Sequence, residues 1–242
     1  MFHFKRFSLE HENSTLKIGT DAVLLALLTD IGGEASVLDL GCGCGIVAFC
    51  AAQRYADNGI RPTIHGIDID ADSVAESERN AANFGLLHRS RFVFENTSFQ
   101  EFAEKNEPGS IDLILTNPPY FHNCLLPSEK TRLRSKHGDG NLTFEEILLL
   151  SKRLLSENGR LSIILPKAES ETFTDAAEGV MFCNRKVYIH PTAAKPANRV
   201  VMEFSKKCKP FSESDFSILD ENHNHTAEYL DLTKPFLTLK KK

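Results

Sequence analysis

"SVLDLGCGCGIVAFCAAQRYAD", residues 36–57, decides the fold. It begins as a short apolar run suited to a buried strand, places Gly41, Gly43 and Gly45 at alternate positions, and ends in a helical run over 46–57. A strand, a glycine turn and a helix together open a parallel sheet. Working outward, "TIHGIDID" (63–70), "RFVFEN" (91–96), "IDLILTN" (111–117) and "RLSIILP" (160–166) read as further strands. Helical runs occupy 71–85, 99–105, 143–159 and 168–179, with Gly85 as the C-cap of the first and Thr143 and Glu146 at capping-box spacing in the third. Two β-rich runs, 182–191 and 198–207, follow without a helix between them and predict an antiparallel pair at one sheet edge; 226–236 is helix-like. The expectation is an α/β fold with a doubly wound, mostly parallel, Rossmann-like sheet and an antiparallel edge pair. It forms a single domain over 1–242, with an N-terminal extension (1–35), a core (36–207) and a C-terminal segment (208–242).

Composition narrows the class. Apolar residues make up 41% and charged residues 25% of the 242, enough for a packed core. The net charge of −5 excludes a simple polycation, so any nucleic-acid contact must come from local basic clusters. The start "MFHFKRFSLEH" has no signal-peptide core, and "AVLLALL" (22–28) is too short to cross a bilayer, which makes the cytoplasm the expected location and a membrane partner unexpected. Six scattered cysteines fit a reducing compartment. Cys42 and Cys44 form a C-x-C, but no second ligand pair accompanies them, so no metal is expected.

In such sheets ligands bind at the carboxyl ends of the strands. The glycine turn lets the backbone approach a ligand closely, and the helix after it offers free N–H groups. A nicotinamide fingerprint needs its third glycine at position 46, where this chain has Ile46. The alternation D-x-G-x-G-x-G instead resembles the first motif of S-adenosylmethionine-dependent methyltransferases, with Asp39 near a bound methionine moiety. At the end of the second strand, Asp68 can accept both ribose hydroxyls of a nucleoside while Ile69 packs against its base; Asp70 caps the next helix. The competing reading is a plain turn and a strand terminator.

"TNPPYF" (116–121) ends the fourth of these strands, because a proline has no N–H for the ladder. It places an amide and an aromatic ring in the same crevice as the glycines. An exocyclic amine such as adenine N6 is a poor nucleophile, its lone pair being delocalised into the ring. The Asn117 oxygen and the Pro118 carbonyl can hold its two N–H bonds and aim the lone pair at a methyl sulfonium, with Tyr120 stacked on the base. A paired or stacked base would first be flipped out.

"DLGCGCG" followed by "NPPY" is similar to the amino-group methyltransferases of adenine N6, cytosine N4 or glutamine N5. With "FKRFSLEHENSTLKIGTDAVLLA", "NPPYF", "NRVVMEF" and "AEYLDLTKPF" added, the chain resembles the bacterial tRNA1(Val) (adenine(37)-N6)-methyltransferase family. The resemblance implies a class I S-adenosylmethionine-dependent enzyme that methylates the adenine 3′ of the anticodon. It puts Lys17, Gly19, Thr20 and Asp21 in a segment lining the cofactor, Asp39, Gly41, Cys42 and Gly43 near methionine, and Asp68 and Ile69 at the nucleoside. Asn117, Pro118, Pro119 and Tyr120 then surround the target amine, Asn117 also bordering the cofactor. Such enzymes commonly carry an Asp for the cofactor's adenine after the third strand; this chain has Ser98 there, so Ser98 and the Phe99 backbone are expected at the adenine.

The stretch "SEKTRLRSKHGDG" places Lys130, Arg132, Arg134 and Lys136 directly after the amine motif, where they could hold RNA phosphates. Lys5, Arg6, Lys195, Arg199 and Lys240 to Lys242 could add contacts. His122 and His137 are not needed as bases. The expected partner is tRNA, with a monomer as the preferred state. Guanine-N2 and glutamine-N5 methyltransferases, a NAD-dependent oxidoreductase and a non-catalytic RNA-binding module stay open as alternatives.

Overall fold

The computed structural model describes residues 1–12, 19–84, 90–118 and 142–238. β1 (Phe2–His3) and β2 (Ser8–Leu9) form a small antiparallel hairpin ahead of α1 (Thr20–Leu28). Six consecutive residues of α1, Ala22 to Leu27, are buried, so the apolar run at 22–28 is an interior helix packed on its neighbours. The alternation then runs β3 (Ser36–Leu40), α2 (Ile46–Asp57), β4 (Thr63–Asp68), α3 (Ala71–Asn83), β5 (Arg91–Asn96), α4 (Phe99–Lys105) and β6 (Ile111–Thr116). After the undescribed stretch come α5 (Phe144–Leu154), β7 (Leu155–Pro166), α6 (Lys167–Ala176), β8 (Phe182–Thr192), β9 (Arg199–Ser205), β10 (Ser212–Leu219) and α7 (Ala227–Thr233).

Eight strands form one sheet in the order β10-β8-β9-β7-β6-β3-β4-β5. Every ladder is parallel except the two made by β9, which lies antiparallel between β7 and β8. The antiparallel pair is therefore present, with β10 added outside it. The chain winds outward from β3 through β4 to β5, then returns to β6 on the other side of β3, which puts the topological switch beside β3.

Strand side chains alternate between two cores. Val37, Leu113 and Leu115 face the layer containing α1, α2 and Phe84, whereas Leu38, Leu40 and Ile114 face Phe99, Phe102 and Phe173. Phe4, Phe7 and Leu9 near the start, and Tyr229 and Phe236 near the end, are buried in the first of these cores.

Several boundaries differ from expectation, most clearly those of α5 and β7. The capping box of Thr143 and Glu146 is present, but α5 stops at Leu154. The following "SENG" belongs to β7, in a register shift where Ile111 faces Leu155 and Leu113 faces Arg160. A side-chain carbon on Gly159 would lie 3.0 Å from the Ile111 carbonyl, so this close backbone approach favours glycine. Gly85 lies outside the described residues, and α3 ends on Phe84 as its C-cap.

Candidate cofactor and active site

The glycine turn leaves β3 with positive φ at Gly41 (74°), Gly43 (52°) and Gly45 (84°). Their reasons differ. A side chain on Gly45 would strike the Phe49 ring of α2 at 2.5 Å, so packing dictates that glycine. Gly41 and Gly43 would meet nothing within 4 Å: they border open space at the switch point. Cys42 turns its thiol inward, 3.8 Å from the Ser77 hydroxyl, and burial raises its pKa well above the ordinary value, so this residue offers a ligand only its backbone.

Two carboxylates underlie the turn. Asp39 is 1% exposed and accepts the N–H of Ala48, in the first turn of α2, at 3.0 Å. Burial pushes its pKa up to about 7; the Ala48 N–H works against that shift and the nearby Asp68 charge adds to it. Asp68, at the end of β4, accepts the Gly43 N–H (2.9 Å) on one oxygen and the Asp70 N–H (3.0 Å) on the other. Each oxygen has further lone-pair capacity. Among the described residues neither carboxylate forms an ion pair. Ile69 beside them is 61% exposed, an aliphatic side chain left in water. Asp70 caps α3 through the Asp72 N–H.

The β3–β6 ladder brings Asn117 to the same place. Leu40 faces Thr116 in register, and the Thr116 hydroxyl donates to the Leu40 carbonyl at 3.0 Å, so Asn117 follows where Gly41 follows. Asn117 is half-buried and Pro118 buried. Sequence reasoning missed Thr116, although a lone hydroxyl closing an apolar strand was visible in "IDLILTN". It also missed Asn96, whose amide donates to the Asp68 carbonyl at 3.0 Å across the β4–β5 pair.

The remaining expected residues fall into three groups. Lys17, Pro119, Tyr120, Lys130, Arg132, Arg134, Lys136, His122, His137 and Lys240 to Lys242 lie outside the described residues. Gly19 and Thr20 are exposed at the start of α1, with Gly19 as its N-cap, and Asp21 in the first turn pairs with Arg199 at 2.8 Å. Ser98 spends its hydroxyl as the N-cap of α4, accepting the Glu101 N–H at 3.2 Å, and the Phe99 ring is buried in the second core. Only the backbone of Phe99 is thus available for a base.

Three of the additional cations are engaged within the protein. Arg199 holds Asp21, Arg6 is paired with Asp57, and Lys5 donates to the Lys234 carbonyl at 2.6 Å. Each joins the chain's first residues or α1 to a later element. Among the described residues no group of three His, Cys, Asp or Glu side chains could hold a metal, and no helix is long and apolar enough to cross a membrane.

An open glycine cradle at the switch point, a carboxylate at the end of the next strand and one reversed strand make this a class I S-adenosylmethionine-dependent methyltransferase fold. A family model described as a methyltransferase domain matches residues 31–214. Among solved structures, a predicted O-methyltransferase from Agrobacterium tumefaciens covers 89% of this chain and 96% of its own at TM-score 0.68 and 17% identity. A type I restriction-modification methyltransferase subunit from Streptococcus thermophilus covers 91% and 52% at TM-score 0.60 and 16% identity. Sequence relatives reach further. A protein of Trichodesmium erythraeum named tRNA1(Val) (adenine(37)-N6)-methyltransferase is 32% identical over 97% of this chain and 96% of its own. One of the same name from Flavobacterium psychrophilum is 33% identical over 98% of both. The chain belongs to the tRNA1(Val) (adenine(37)-N6)-methyltransferase family.

Proposed function

We infer that this chain transfers the methyl group of S-adenosylmethionine to N6 of an adenine in tRNA, adenine 37 of tRNA1(Val). The observation that carries the reading is the placement of Asn117 beside the open glycine cradle, in a chain that its relatives of that name match along nearly its whole length. Residues of this site fit the cofactor. Gly41 and Gly43 leave room for a ligand against the backbone, Asp68 keeps acceptor capacity for two hydroxyls, and Ile69 is an exposed apolar surface next to it. Asp39 lies at the turn with no ion pair among the described residues, as suits a site for a positively charged amino acid moiety.

When bound, S-adenosylmethionine supplies an electrophilic methyl on a sulfonium. The protein's own part is to hold the amine. The Asn117 side-chain oxygen and the Pro118 carbonyl accept its two N–H bonds, which favours a tetrahedral nitrogen with the lone pair free. Tyr120 stacks on the flipped base, and Lys130, Arg132, Arg134 and Lys136 meet phosphates. No general base is required, since the proton leaves a nitrogen that has become cationic. Lys17, Gly19, Thr20 and Asp21 border the cofactor, with the Phe99 N–H at its adenine, and the whole chain acts as one unit.

Labelled S-adenosylmethionine with an unmodified tRNA1(Val) transcript and nucleoside mass spectrometry tests this. Wild type is expected to produce N6-methyladenosine at position 37, and Asn117→Ala to lose about 10²–10³-fold in rate while still binding cofactor. Cofactor binding with no label in tRNA would overturn the substrate assignment.

A further inference from the structure

The glycine turn is held from behind by α3. Ser73, Ser77 and Asn80 stand at helical spacing, i, i+4 and i+7, on the buried face of that helix. Such a row of polar groups in an interior is stable only if each is satisfied. The Ser73 hydroxyl donates to Asp70 at 2.7 Å, bracing the helix start. The Ser77 hydroxyl donates to the Gly43 carbonyl at 2.6 Å. The Asn80 amide donates to the Cys44 carbonyl at 3.0 Å and to the Glu10 carbonyl at 3.0 Å, and its oxygen accepts the Glu10 N–H at 2.8 Å. One residue further along the N-terminal segment from His11, the Glu12 N–H donates to Glu76 of the same helix at 2.8 Å.

We propose that Ser77 and Asn80 are positioning residues of the cofactor site: they fix the peptide planes of the glycine turn and lock the N-terminal segment to that same turn. The argument is geometric. Three glycines give the turn wide freedom, and in a planar trans peptide the N–H points opposite the carbonyl. Drawing the Gly43 and Cys44 carbonyls toward α3 therefore turns the Cys44 N–H away from it and selects one conformation among the many open to "GCGCG". Asn80 uses both of its amide N–H bonds and its oxygen in doing so, with Glu10 on one side and Cys44 on the other. Movement of the N-terminal segment and movement of the turn are thereby coupled through one amide. Neither side chain touches the reacting atoms; both act through the backbone that does the binding.

The inference rests on the cofactor reading above. Its test is isothermal titration of S-adenosylmethionine into Ser77→Ala, Asn80→Ala and Asn80→Asp at a temperature where circular dichroism shows each folded, with steady-state kinetics on tRNA alongside. Each Ala variant is expected to bind about fivefold more weakly or worse, as for the loss of one buried hydrogen bond. KM for the cofactor should rise while kcat at saturating cofactor stays within about twofold. Asn80→Asp keeps the acceptor for Glu10 and loses both donations, so it should behave as Asn80→Ala. Should Asn80→Ala not fold, Ser77→Ala decides alone, since it removes one hydroxyl and almost no volume. Unchanged affinity with a lowered melting temperature would overturn the proposal and leave the two side chains as fastenings of α3. A wild type that binds no S-adenosylmethionine would overturn the cofactor reading itself, and this inference with it.

Discussion

The two ends of the sheet bury carboxylates in opposite ways. At the carboxyl ends of β3 and β4, Asp39 and Asp68 are held by backbone N–H groups and have no cation among the described residues. At the other end, beneath α1, arginines meet the carboxylates of a network, buried Glu203 and half-buried Glu34. Glu203 accepts Arg185 at 2.6 Å and lies 3.4 Å from the Arg160 Nε, and Glu34 accepts Arg160 at 2.6 Å. Arg54 and Arg185 also donate to the carbonyls of Ala26, Leu28 and Thr29, which end α1. Charge at this end is neutralised in the folded protein, whereas at the first end it is stored. Above pH 7 the buried Asp39 charge costs stability, a cost that the paired carboxylates of the closed network are spared.

The largest effect should come from opening the closed network. Glu203→Ala removes a buried carboxylate and leaves two half-buried guanidinium groups without their shared partner, and denaturant titration should find a loss of about 3 kcal/mol with cofactor affinity unchanged below the transition. A loss under 1 kcal/mol would mean that Glu34 and the carbonyls suffice, and the contrast between the ends would weaken.

At the open end the same kind of change should have the opposite sign. The Asp39 carboxyl titrates at about 7 in the fold and near 4 in the unfolded chain, so the native state binds the extra proton between these values. Its contribution to stability therefore falls as pH rises from about 4 to 7 and is constant above. Asp39→Asn keeps an acceptor for Ala48 and removes that slope. It should stabilise the free protein at pH 8 by part of the roughly 4 kcal/mol that the whole shift represents, change little at pH 4, and weaken S-adenosylmethionine binding. Melting curves across pH check the first two, and calorimetry the third.

The smallest effect belongs to an ion pair on the flank. His190 donates from one ring nitrogen to the Lys195 carbonyl (2.8 Å) and from the other to Asp215 (2.7 Å), an imidazolium arrangement. The Lys195 carbonyl and then Asp215 raise its pKa above the ordinary 6.5. Its contribution is complete below the unfolded value and disappears as pH rises through the folded one. His190→Gln should cost under about 1 kcal/mol at pH 6 and nothing at pH 9, Asp215 being largely exposed. An equal cost at both pH values would make the pair a packing contact.

The open end was also the legible one. Runs read from the sequence at 46–57, 91–96 and 99–105 coincide with α2, β5 and α4, because apolar period and turn residues agree there. The residues of the glycine turn, Asp68 and Asn117 were legible for the same reason: each ends an element. The closed end was not. Its partners come from three strands (Arg160, Arg185 and Glu203) and the segment before β3 (Glu34), and share no spacing in the chain. β10 was missed because Ser212 to Asp215 are all exposed, so an edge strand showed no alternation. The roles of Ser77 and Asn80 were hidden because polar residues on a helix ordinarily read as its solvent face.

Strand order also bears on how the chain is made. β9 lies between β7 and β8, so β8 emerges from the ribosome before the strand that joins it to the sheet. A nascent chain that has emerged only as far as residue 198 holds β8 outside the ribosome with neither β9 nor β10 beside it, its Val187 and Ile189 unburied. Pairing of β8 with the rest of the sheet must then wait for residues 199–205. Limited proteolysis of stalled chains should cut within 182–192 while β9 is still inside the exit tunnel and find that segment protected once β10 has cleared it; earlier protection would mean that β8 first pairs elsewhere.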